Sequence, residues 1–98
     1  MKSPTSNDKA IEVTRAVVHA WDPYSLLQQG APIDEFDGEI TQLVTYIPKV
    51  ANVSDATKAV SLVFSRAFEP KLFMPESCSD VGENWFKSLC QAGLVQQA

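Results

Sequence analysis

The sequence predicts an all-α protein, a single compact domain of five or six short helices spanning residues 1–98, with residues 1–6 a flexible lead-in. Three observations predict it. Every long apolar pattern repeats with the three- and four-residue spacing of a helix, and none alternates as a half-buried strand would. The chain has 98 residues, 45% of them apolar, enough for one modest core and far from the composition of a disordered tail. No internal repeat, low-complexity tract or linker divides it.

The first helix is read in NDKAIEVTRAVVHA, where Ala10, Val13, Ala16, Val17 and Ala20 fall on one stripe and Thr5 and Asp8 have capping-box spacing. Trp21 closes it. Asp22-Pro23 then opens a short helix, because an aspartate accepts from free amides at an N-cap and a proline at the first position loses no intrahelical bond. Tyr24, Leu26 and Leu27 form its apolar side, Gly30 sits where a left-handed ending is easiest, and Ala31-Pro32 completes the corner. In IDEFDGEITQLVTYI the apolar residues Phe36, Ile40, Leu43, Val44 and Ile47 make a helical face that Pro48 ends.

Ser54 and Asp55 are candidate caps for a helix over residues 55–68. Ala56, Ala59, Val60, Val63, Phe64, Ala67 and Phe68 form its stripe, the most regular in the chain, which predicts the central core helix. EPKLFMPESCSD reads as an irregular connection whose Leu72, Phe73 and Met74 are too apolar to stay in water. A last helix is predicted near residues 80–92, with Val81, Trp85, Phe86, Leu89 and Cys90 inward and Gly93 as its stop.

Twelve acidic residues against eight basic ones give a net charge of -4, which opposes nucleic-acid binding and favours basic partners. MKSPTSNDKA lacks the apolar stretch of a secretory signal and no run reaches the roughly 18 apolar residues of a membrane span, so the expectation is a cytoplasmic protein without membrane contact. Cys78 and Cys90, with a single histidine, match neither a disulfide framework nor a zinc pattern, and two reduced thiols are expected.

The densest chemical feature is acidic. Asp34, Glu35, Asp37 and Glu39 fall within six residues, close in sequence to Asp22. One or two acids in a first turn oppose the helix macrodipole favourably, by about 0.3–1 kcal/mol each. Four exceed that need and predict a negative patch able to meet lysines and arginines of a partner. A calcium loop does not fit, because Phe36 breaks the alternation of oxygen ligands and the twelfth residue from Asp34 is Thr45. His19, among Val17, Val18 and Trp21, is read as structural, since no oriented nucleophile or acid accompanies it. Ser25, Ser61 and Ser65 lack nucleophile-elbow glycines, and neither cysteine has neighbouring positive charge to lower its pKa. Neither catalytic residues, a metal site nor a cofactor are expected. Trp21 and Trp85 are read as anchors of the core or its edge.

The string WDPYSLLQQGAPIDEFDGEI, about a quarter of the chain, resembles the signature of the YugE-like proteins, small helical bacterial proteins. The resemblance rests on Trp21-Asp22-Pro23, Leu26-Leu27, Gly30-Ala31-Pro32, Asp34-Glu35 with an aromatic and Asp37 after them, and Glu39-Ile40. Phe36 stands where a tyrosine is the usual aromatic, and Trp85-Phe86 near the C-terminus is also similar. It extends to immunity proteins that neutralise contact-dependent growth inhibition toxins. It implies a non-enzymatic, one-to-one inhibitor of a basic toxin domain, a ribonuclease or another nuclease; on that reading the acidic patch identified from its charge, Asp22, Asp34, Glu35, Asp37 and Glu39, would face the toxin. The alternative implication is a housekeeping or regulatory module that binds a small ligand or another protein.

Overall fold

Asn52 starts a helix by capping it: its side-chain oxygen accepts the Asp55 amide at 2.8 Å, and the Asp55 carboxylate reaches back to the Ala51 amide at 3.1 Å. These reciprocal bonds satisfy amides that a helix start leaves open. The cap is thus Asn52, two residues before Ser54 and three before Asp55. The computed structural model describes residues 6–32, 34–68, 71 and 73–95. Among them are four α-helices and no strand: α1 (Ser6–Trp21), α2 (Asp37–Tyr46), α3 (Val53–Ala67) and α4 (Ser79–Gln91). This corrects the five or six helices expected from the sequence. The short helix expected after Asp22-Pro23 is only the 3₁₀ turn Pro23–Ser25, where Asp22 and Ser25 take left-handed φ values of 45° and 54°, which stops a helix from propagating. Ile47–Lys49 and Pro75–Cys78 are further 3₁₀ turns.

α3 packs against α2 and α4, and α1 packs against the same two helices. The inward face of α3 is Ala56, Ala59, Val60, Val63 and Phe64, all buried. Ser61 and Ser65 both donate their hydroxyls to the Phe73 carbonyl, which folds the following loop back on α3 and seats Phe73 in the core. Met74 points the other way, 49% exposed, and Leu72 lies outside the described residues. Trp21, half-buried, meets Phe64 and Phe73 edge-on at 4.8 and 5.7 Å, the geometry that aromatic quadrupoles favour.

Two contacts set the helix spacing. Trp85 on α4 is buried and donates its indole N–H to the equally buried Thr14 hydroxyl on α1 at 2.9 Å. Gly82 on α4 lies against Thr57 on α3 so closely that a methyl group there would fall 2.7 Å from the Thr57 Cα. Thr14 also resets the face of α1. The buried line is Ala10, Thr14 and Val18, whereas Ala16 and Ala20 of the expected stripe are exposed. Thr5 of the expected capping box, with the rest of residues 1–5, lies outside the described residues, and Ser6 opens α1.

Candidate functional site

The acidic residues are placed by a corner that the Asp22 carboxylate organises. α1 ends as the Asp22 amide donates to the Val18 carbonyl at 2.8 Å. The carboxylate then accepts the Leu27 amide at 2.8 Å and the Gln28 amide at 3.1 Å. It makes no cap bond to the Pro23–Ser25 turn itself. Asp22 therefore does accept free amides, but one turn further on than an N-cap would. The corner closes at Gly30, with φ 102°, where the Gly30 amide bonds to Leu27 and the Ala31 amide to Leu26. This is a Schellman closure of the kind expected for a glycine there.

Two linked turns follow, Glu35 to Pro32 at 3.0 Å and Asp37 to Asp34 at 3.1 Å, and they lead into α2. Phe36 is the pivot. Its side chain is fully buried, 6.2 Å from Phe64 and 6.3 Å from Phe68 between ring centres. With Phe36 held inside, Asp34 and Glu35 stand exposed on the shoulder, and neither is ion-paired with a described residue. No side chain caps α2, so the charge of Asp37 and Glu39 in its first turn faces open amides.

The carboxylates are not equivalent. Asp37 lies 3.7 Å from Arg15 of α1, a half-exposed ion pair whose Oδ1 is shielded from solvent. Such a pair contributes about 0–1 kcal/mol. Burial raises the Glu39 carboxyl above its ordinary value; a bond from its own backbone amide works against this, and Glu35 one turn earlier pushes it further up. The five residues singled out from the sequence therefore divide by task. Asp22 and Asp37 are tied to the fold, and Asp34, Glu35 and Glu39 form the exposed or crowded acidic surface.

No family model, curated protein or solved structure matches this chain.

The exposed carboxylates of the shoulder can attract cations and hydrogen-bond donors. Among the described residues no group of three or more histidine, cysteine or carboxylate side chains could hold a metal ion, and no helix is long and apolar enough to cross a membrane. His19 is half-buried, with an Nε2 that is shielded and unbonded rather than bonded to a carbonyl. Cys78 is buried and its thiol is pushed up to about 11 by that burial, while Cys90 is half-buried and both are free.

Sequence reasoning missed a groove between α1 and α4. Ala16, Val17 and Ala20 line one side and Val81, Asn84 and Ser88 the other, around about 530 Å³. The signal was present in the two small alanines, but their period looked like a core stripe.

Proposed function

We infer that the protein is an immunity protein that binds a basic toxin domain, one to one, through the shoulder formed by Asp34, Glu35 and Glu39. The observation that carries this reading is the crowding of Glu35 and Glu39 beside an exposed Asp34, with no cation of the described chain paired to any of the three. Like charges held near one another cost stability, and a lysine or arginine from a partner would relieve that cost. A nuclease toxin must be basic enough to hold a phosphate backbone, so such cations are present on it. The buried Phe36 and the bonds of Asp22 support the reading further, because a fixed array of carboxylates loses little freedom on binding.

The test measures binding kinetics between the C-terminal domain of whatever protein the neighbouring upstream gene encodes and either the wild type or Asp34→Lys plus Glu35→Lys. Both side chains are exposed, so the variant should fold normally. Association should slow, and the difference should narrow as salt screens charges beyond about 8 Å. Equal association rates at low salt would remove the shoulder from the interface.

A second reading is favoured by the α1–α4 groove. Its volume of about 530 Å³ falls within the roughly 300–1,000 Å³ of small-molecule sites, which suits a YugE-like regulatory module with a small ligand. Ala20→Trp would fill it from an exposed position. Ligand-induced thermal stabilisation that this variant abolishes would favour the module, and toxin inhibition unaffected by it would favour immunity.

A further inference from the structure

At the opposite end of α2 from the acidic shoulder, the Ile47–Lys49 turn and the outer face of α3 enclose a shallow cup of about 200 Å³. Val50, Ala59 and Leu62 line its apolar part, beside Tyr46, and Lys49 and Lys58 line it with charge. Leu62 is one of the few large apolar side chains left in water, 39% exposed. Arg66 follows it one turn along α3, so the helix face runs Lys58, Leu62, Arg66. Lys49, Lys58 and Arg66 are all exposed and form no ion pair with a described residue. The cup's acid, Asp55, is already bonded to the Ala51 amide in the α3 cap.

We propose that this cup is a second docking surface, which takes an acidic peptide segment of a partner protein through one large apolar side chain flanked by aspartate or glutamate. Size decides between a peptide and a free small molecule. Sites that bury most of a small ligand span roughly 300–1,000 Å³, and this one is smaller, the scale of a single anchoring side chain. Charge decides the flanks. Lysine stems extend the apolar lining while their ammonium groups remain at the rim, where they attract carboxylates and repel the basic surface that the acidic shoulder suits. The acidic shoulder of a second copy cannot supply the anchor through Phe36, which is fully buried. The surface is independent of the toxin reading and stands or falls separately.

The experiment titrates the full-length protein with a panel of short labelled peptides carrying a central Phe, Leu or Trp between acidic residues, read by anisotropy and by backbone amide shifts. The proposal expects saturable binding that perturbs residues 46–50 and 55–62. It expects Lys49→Glu with Lys58→Glu, and separately Leu62→Lys, to weaken binding at least about tenfold without altering the melt. Asp34→Lys with Glu35→Lys should bind the peptide at least as well as wild type. The proposal is overturned if no panel member saturates below about 1 mM, if the shifts map elsewhere, or if serine in place of the central residue binds equally. Equal affinity for free phenylpropionate would transfer the cup to small acids, and self-association lost in Leu62→Lys would make it a homodimer face; either outcome rejects a peptide site.

Discussion

The two ends of α2 carry opposite charge and have opposite relations to the fold. Asp37 and Glu39 in the first turn complement the macrodipole, whereas Lys49 lies in the turn that follows the helix. At the first end the charged segment is built into the structure: Phe36 is buried, Asp22 bonds two amides and Asp37 faces Arg15. At the second, Lys49 and Lys58 edge an apolar cup and pair with nothing described. The difference teaches that charge density alone does not identify a surface for partners. The acidic end must be divided into side chains that hold the corner and side chains left over, whereas the lysines at the other end are all left over.

The sharpest way to break this comparison is at Phe36. Phe36→Ala should cost about 3–5 kcal/mol in denaturant unfolding, because a fully buried ring shared with Phe64 and Phe68 is removed. A loss below about 1 kcal/mol would mean the shoulder is not anchored as described. Next comes Asp22→Ala, expected to cost about 2–3 kcal/mol, since it forfeits two amide bonds to a charged acceptor and leaves a Cβ residue with a left-handed backbone. Asp22→Asn should cost visibly less, as asparagine tolerates that backbone and retains one acceptor. Identical melts for the two variants would assign the effect to the side-chain charge and not to the corner geometry.

Glu39 provides a smaller test with a definite sign. Its folded pKa lies above the ordinary 4.5, so the fold disfavours the ionised form. Stability is then highest with Glu39 protonated and declines as pH rises from the ordinary carboxylate range through the folded value. Glu39→Gln should raise the melting temperature slightly at pH 7, and the gain should vanish below about pH 4. A gain that persists in acid would have another origin. Smallest of all, Lys49→Ala with Lys58→Ala should move stability by no more than about 0.5 kcal/mol per site. A clear loss would show that these lysines support the fold and would blur the contrast between the two ends.

Much of the architecture was legible because helical burial leaves a periodic trace. Phe36, Ile40, Leu43 and Ile47, and Ala56, Ala59, Val60, Val63 and Phe64, are buried at the spacing their pattern predicts, while Ala67 of the same stripe is exposed. Gly30 and Gly93 both end turns with positive φ, at 102° and 74°, as their positions after apolar runs imply. These features depend on neighbours within a few residues, which a sequence displays directly. Asp22 was legible as an acceptor of free amides, but not which amides, because those belong to a turn five and six residues later.

What only the tertiary structure decided depends on approach between distant segments. Trp85 finds Thr14 across 71 residues, and that bond turns a threonine into a core residue while Ala16 and Ala20 face out. Gly82, unremarkable within a helix, is where α4 closes on Thr57. The pairing of Asp37 with Arg15, and the lack of an ion pair to any described residue for Asp34, Glu35, Lys49 and Lys58, likewise follow from which helices become neighbours. By itself the sequence determined helix type, helix faces and the sites of the turns, because these are set by local sterics, amide satisfaction and the 3.6-residue period. It did not determine which charges would be consumed within the fold, because a Coulombic or hydrogen-bonded partner is chosen by distance in space, and the chain reveals only distance along itself.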